Sequence, residues 1–256
     1  MDVPNCKDWN KLRKRMIGRY SQPVENDTIF SSIFIEYIIG TLSTDPVIQR
    51  QNRRFVSSFN NLVKRVLKDS DKSLHHKIKS KIKNIFITGD NDVQGGNSDF
   101  KNGINELLAI DYFNQCGDVR ITEIEKPLYN GKSIDLVIKH NSGDTIGVEM
   151  FTMQNIGTQR QKDNKSMSDF LFERINKKYY DKVTGLSQIN ELDNLLIMPI
   201  VEFSDGLENL KFGYPSQIST PIMCSHLNRD KDGEWEVVLS EINMYLETRR
   251  AGNVNE

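Results

Sequence analysis

The 256-residue sequence is poor in cysteine, holding only Cys6, Cys116 and Cys224. They are odd in number, far apart and never in a C-x-x-C arrangement. That excludes a disulfide framework and a cysteine-held zinc site, and it fits a reducing compartment. Long apolar runs are lacking too. The most apolar stretch, "TIFSSIFIEYIIGTL" at 28–42, is too short for a membrane span and contains Glu36. It is expected to be a buried helix. The opening "MDVPNCKDWNKLRKR" has no apolar signal core. These absences lead us to expect a cytoplasmic protein with no membrane partner. Internal repeats and low-complexity tracts are also missing.

Overall charge of one sign is absent: 34 Lys and Arg stand against 35 Asp and Glu, a net of −1. The balance hides a division. Residues 1–96 carry 17 basic against 10 acidic side chains, a net of +7, which leaves 17 against 25, a net of −8, for residues 97–256. A basic front and an acidic back suggest two parts with different partners. A polyphosphate chain is one partner that a basic segment suits. Two solvated surfaces would give the same count.

The front part, 1–96, is expected to be helical. Phe59, Leu62, Val63, Val66 and Leu67 recur at helical spacing. The stretch "KRVLKDSDKSLHHKIKSKIKN" follows, with eight Lys or Arg from Lys64 to Lys83 against Asp69 and Asp71. Ile78, Ile82 and Ile85 give its second half one apolar edge, so its outer face should be basic. Lys64, Arg65, Lys68, Lys77, Lys79, Lys81 and Lys83 are the candidate contacts for a nucleic-acid backbone. His75 and His76 are adjacent and so do not share a helix face, which makes them a poor metal pair. "TGDNDVQGGNSD" at 88–99 is rich in Gly, Asp and Asn and reads as the boundary. Asp90, Asp92 and Gly95 resemble a calcium loop, but Lys101 stands where a bidentate glutamate is required. A linker is the better reading.

From 97 to 256 the pattern predicts an α/β domain with a mixed sheet. A helix is expected at 99–117, strands at 119–125, 133–139 and 145–153, a helix at 168–183 and a fourth strand at 194–203. The fourth is apolar throughout and should be central, buried on both faces. "GEWEVVLSEINMYLET" at 233–248 reads as a final helix. The segment 204–232 carries no clear pattern.

In a strand, residues two apart share a face. With His140–Asp144 as the loop between the second and third strands, Asp135 falls opposite Glu149. Like charges directly opposite are destabilising and raise each other's pKa. A divalent cation between them removes the conflict. Magnesium suits oxygen ligands and needs only one or two protein carboxylates, with manganese as its substitute. Glu106 shares a helix face with Ala109, Ile110 and Phe113. It could supply a third ligand, or it could be a helix-edge glutamate that snorkels to water. An isolated Asp–Glu pair among 35 acids has a plain surface reading as well.

The order and spacing of these acids resemble the PD-(D/E)XK nuclease superfamily, with its restriction-endonuclease-like αβββαβ core. Glu106 in "INELLAIDYF", Asp135 in "SIDLVIK" and Glu149 in "GVEMF" match its three acidic positions, over roughly residues 97–205. The resemblance implies a magnesium-dependent endonuclease that hydrolyses phosphodiesters, most often in DNA and in restriction or defence. It also implies a possible homodimer. The family lysine two residues after the last acid is replaced here by Phe151. Either catalysis is lost, leaving a nucleic-acid-binding module, or the lysine has moved to the following helix. There Lys178 borders the stripe of Leu171, Ile175 and Tyr179 and is the first candidate for the catalytic amine, before Lys177 and Lys182. Lys139 shares the strand face of Asp135, but it lies four residues, about 13 Å, away.

Overall fold

The computed structural model describes residues 37, 40, 41, 43–87, 98–153, 167–187, 189, 192–202, 221–229 and 235–242. Helix α1 (Pro46–Asp69) starts where Asp45 accepts hydrogen bonds from the Val47 and Ile48 backbone N–H groups, with Pro46 in the first turn. Its buried stripe contains Phe59, Leu62 and Val66, flanked by the half-buried Val63 and Leu67. A short 3-10 turn (Lys72–Leu74) leads into α2 (His75–Ile87), which buries Ile78 and Ile85. Of the expected buried helix at 28–42, only Tyr37, Gly40 and Thr41 are described, the first two of them helical. Nearly all of the expected linker at 88–99 lies outside the described residues; its two described positions, 98 and 99, are helical.

Helix α3 (Ser98–Gln115) precedes three strands, β1 (Val119–Pro127), β2 (Ser133–His140) and β3 (Thr145–Met153). Helix α4 (Met167–Val183) and strand β4 (Asn194–Glu202) follow. Two more strands complete the sheet, β5 (Met223–Arg229) and β6 (Trp235–Glu241). The six strands lie in the order β1-β2-β3-β4-β5-β6. β1, β2 and β3 form an antiparallel meander, β3-β4 and β4-β5 are parallel, and β5-β6 is antiparallel. The mixed α/β architecture agrees with the sequence. β4 is central as expected, with Ile197, Met198, Ile200 and Val201 all buried.

The expected terminal helix at 233–248 is incorrect over the described residues, 235–242. Residues 235–241 form β6, paired along its length with β5. Val237 and Leu239 pack on the core at alternate positions. The apolar residues satisfy a period of two once a partner strand exists, and that partner arises in the segment without pattern. Tertiary pairing overrides the helical reading.

One face of the sheet carries α1, α2 and α3 over a continuous core. It runs from Phe59, Leu62 and Ile78 through Leu107 and Ile110 to Leu136, Val148, Met150 and Met198. The basic segment's helices thus share a core with the α/β part. Arg65 fastens the layers, with a forked contact to Asp111 of α3 (2.8 Å) and a second ion pair to Glu236 of β6 (3.0 Å). Helix α4 covers the other face, toward which β3 presents the residues alternating with Val148 and Met150. Among the described residues no helix is long and apolar enough to cross a membrane.

Candidate active site

The β2–β3 hairpin sets the site's geometry. Its ladder pairs Lys139 with Thr145, Ile138 with Ile146, Val137 with Gly147 and Leu136 with Val148. One residue further, the same register puts Asp135 opposite Glu149. At that step the main-chain ladder gives way to a side chain: Asp135 Oδ2 accepts a hydrogen bond from the Met150 N–H at 2.7 Å. The Asp135 carboxyl is therefore held against β3, beside Glu149.

Glu149 is a buried carboxylate, 2% exposed. Its counter-charges come from α4. The sheet-facing stripe of that helix begins with the buried Leu171 and Ile175 and continues, at steps of three and four, with Lys178 and Lys182. Lys178 Nζ lies 2.9 Å from Glu149 Oε1, and Lys182 Nζ lies 3.0 Å from Oε2. The two contacts differ in kind. Lys182 donates to the Ser133 carbonyl, and Glu149 Oε2 receives no hydrogen bond although it is fully enclosed. Burial would lower the pKa of Lys178, but its hydrogen bond to Glu149 and the charges of Glu149, Asp135 and Asp181 outweigh that and raise it. Lys178 is a cation at neutral pH.

The C-terminal end of α4 is fixed to the β1–β2 turn. Asn130 Nδ2 donates to the carbonyls of Lys182 (2.9 Å) and Thr184 (3.1 Å). Lys132 pairs with Asp181 at 2.6 Å. Gly185 follows the helix end at φ 83°, a left-handed conformation that most side chains disfavour. These contacts hold Lys178 and Lys182 in place over β3.

Among the described residues, no ammonium forms an ion pair with Asp135. Its pKa is pushed up to about 7, first by burial, then by the charges of Glu149 and Glu106; the Met150 N–H and Lys182 oppose the rise only in part. Adjacent carboxyls, one left partly protonated and the other with an oxygen that lacks a hydrogen bond, are oxygen donors that fit a hard divalent cation.

Glu106 is close enough to act on Asp135 electrostatically, but its carboxylate is engaged elsewhere. Lys81 of α2 contacts Glu106 Oε2, and also Glu125 Oε1 at 2.7 Å. Glu125 has a left-handed backbone, φ 53°, rare for a residue with a side chain. Among the described residues, no group of three His, Cys, Asp or Glu side chains has metal-holding geometry. Phe151 is half-buried, opposite Pro199 of β4, and brings no amine. Lys177 and Lys139 are exposed.

The expected basic face divides. Lys64, Lys68, Lys79 and Lys83 are exposed. Arg65 is committed to Asp111 and Glu236. Lys77 donates to the Ile124 carbonyl. Lys81 is buried. Arg65 faces inward because α1 packs against α3 and β6, and Lys77 and Lys81 because α2 packs against β1 and α3, which periodicity within each helix cannot reveal. The sequence reading also ranked Lys182 behind Lys177, although its spacing of four from Lys178 was the available signal.

No protein-family model, no curated protein and no solved structure matches the chain.

Proposed function

We propose that the protein is a metal-dependent nuclease that hydrolyses phosphodiester bonds, with DNA as its substrate. The observation that carries this reading is the convergence of Asp135 and Glu149 on adjacent strands with Lys178 Nζ 2.9 Å from Glu149 Oε1. The order helix, three strands, helix, strand agrees with the nuclease superfamily that the acid spacing resembles. In this reading Lys178 replaces the amine missing at Phe151.

Asp135 and Glu149 would hold a magnesium or manganese ion, which when bound polarises the phosphate and lowers the pKa of a coordinated water. Asp135, poised near neutrality, would give up its proton to hold a cation. Glu149 keeps Lys178 charged and oriented. The Lys178 ammonium, a third exposed, can position the attacking water by donating to it and offset negative charge growing on the phosphate. Lys182, more buried and tied to Ser133, fixes Glu149. The exposed Lys64, Lys68, Lys79 and Lys83 would grip the backbone without reading sequence.

A second reading is a catalytically inactive binding module of the same fold. It is favoured by the two lysines that already face both oxygens of Glu149, an internally neutralised arrangement. Incubating plasmid with the full chain and magnesium or manganese separates the two. Cleavage abolished by Glu149→Gln supports the nuclease; salt-sensitive retention without cleavage supports the module.

A further inference from the structure

The most exposed large apolar side chain among the described residues is Tyr129, at 82%. It belongs to the β1–β2 turn, residues 128–132. A lone exposed ring needs no explanation, but this turn is braced on both sides. The Leu128 N–H donates to the Lys132 carbonyl (2.7 Å) and the Gly131 N–H to the Leu128 carbonyl (3.0 Å), with Gly131 at φ 79°. Asn130 donates to two carbonyls of α4, and Lys132 pairs with Asp181 of the same helix. Tyr129 is therefore displayed from a fixed tip, and little chain entropy is left to lose when a flat partner covers it.

The tip stands at the candidate site's end of the sheet. Ser133, the residue after the turn, accepts from Lys182, whose Nζ lies 3.0 Å from Glu149 Oε2. Asp135 is two residues on, about 7 Å along the strand. A second exposed ring adjoins the same brace. Tyr180, 63% exposed, precedes Asp181 on α4 and meets Tyr179 edge to face, 5.7 Å between centroids. Lys132 of the turn and Lys178 of α4 keep about a third of their side chains exposed. Exposed rings among ammoniums suit one ligand chemistry: bases stack on the rings while the flanking phosphates meet the charges. We propose that Tyr129, with Tyr180, is a stacking platform for unpaired bases of a DNA strand whose phosphate lies at Asp135 and Glu149. This rests on the nuclease reading and adds its substrate class. Single strands, and duplexes opened beside the cut, are preferred; closed duplex remains a weaker substrate.

The test is fluorescence anisotropy with the full chain in EDTA, which prevents cleavage. The probes are a labelled oligothymidylate of about 16 nucleotides and a blunt duplex of the same length. Wild type is compared with Tyr129→Ala, Tyr129→Phe and Tyr180→Ala. Tyr129→Ala is expected to weaken single-strand binding about 5-fold or more, and duplex binding by less than about 2-fold. Tyr129→Phe keeps the ring and should bind as wild type does, and Tyr180→Ala should act in the same direction as Tyr129→Ala. Both rings face solvent, so the midpoint of urea unfolding should not move. Unchanged single-strand binding in Tyr129→Ala, or equal losses for single strand and duplex, would overturn the inference and leave the nuclease reading to the plasmid assay. So would a dimer of the chain that Tyr129→Ala splits in analytical ultracentrifugation while oligonucleotide binding stays the same. Ring-dependent single-strand binding by a chain that cleaves no DNA with magnesium or manganese would keep the platform and overturn the nuclease reading. A wild-type chain that binds neither probe would overturn the inference, and one that also cleaves no plasmid would overturn both.

Discussion

Lys178 of α4 and Glu149 of β3 meet at 2.9 Å although 29 residues separate them in sequence, and Lys182 reaches the other carboxylate oxygen at 3.0 Å. The two ammoniums have different surroundings: Lys182 is 12% exposed and Lys178 is 33% exposed. Their substitutions should therefore separate stability from activity. Lys182→Met leaves an enclosed carboxylate short of a cation and is expected to cost about 2–3 kcal/mol in urea unfolding. Lys178→Met, screened by solvent, should cost about 1 kcal/mol or less. Cleavage should rank the other way, with Lys178→Met losing more in kcat. Equal effects on both measurements would remove the distinction.

Asp135 gives stability a pH signature. Its folded-state pKa, about 7, lies above the unfolded value. Between roughly pH 4 and 7 the folded state thus holds more proton than the unfolded one. This group's contribution is complete below the unfolded pKa and is lost as pH rises through 7. Unfolding free energy measured from pH 5 to 8 without divalent cation should fall in wild type relative to Asp135→Asn, at up to about 1.4 kcal/mol per pH unit. Manganese affinity should rise over the same window, since the metal needs the ionised carboxyl. Parallel stability curves for the two proteins would contradict the assignment.

The basic residues of α1 and α2 should divide into two classes. Arg65→Met strands the buried Asp111 and is expected to cost about 3 kcal/mol. Lys in its place should recover little, lacking the fork that meets both oxygens. Lys79→Ala and Lys83→Ala should leave unfolding within about 0.5 kcal/mol of wild type while lowering the salt slope of DNA binding by about one unit per lost phosphate contact. Chemical unfolding and salt-dependent anisotropy would show whether Arg65 belongs with the second group.

Gly147 lies on β3 on the same face as Glu149, where a Cβ would stand 2.7 Å from Leu192 Cδ1 and 3.1 Å from Ile134 Cδ1. Both are side-chain ends and can move. Gly147→Ala is expected to cost about 1–3 kcal/mol and to lower the midpoint of thermal unfolding. A neutral substitution would mean that Leu192 and Ile134 yield freely.

Much of this site was legible because its signals are local. Strand alternation and a short loop fix the hairpin register, so the facing of Asp135 and Glu149 follows from parity. Helical spacing from Ile175 points Lys178 at the sheet, and the same rule carries one turn on to Lys182. What escaped depends on contacts between distant segments. β6 reads as a helix until β5 is there to pair with it. Lys81 and Arg65 sit among basic neighbours, and only the packing of α1 and α2 onto α3, β1 and β6 turns them inward. Glu106 looked free to join the acid pair because its partner Lys81 lies 25 residues earlier, in a segment read as separate.

The most direct measurement is plasmid cleavage by the full chain with magnesium or manganese, set beside Asp135→Asn, Glu149→Gln and Lys178→Met. The account predicts metal-dependent cleavage by wild type that is lost in both carboxylate variants and strongly reduced in Lys178→Met. Wild-type activity retained by Glu149→Gln, or no cleavage by wild type with either metal, would contradict it.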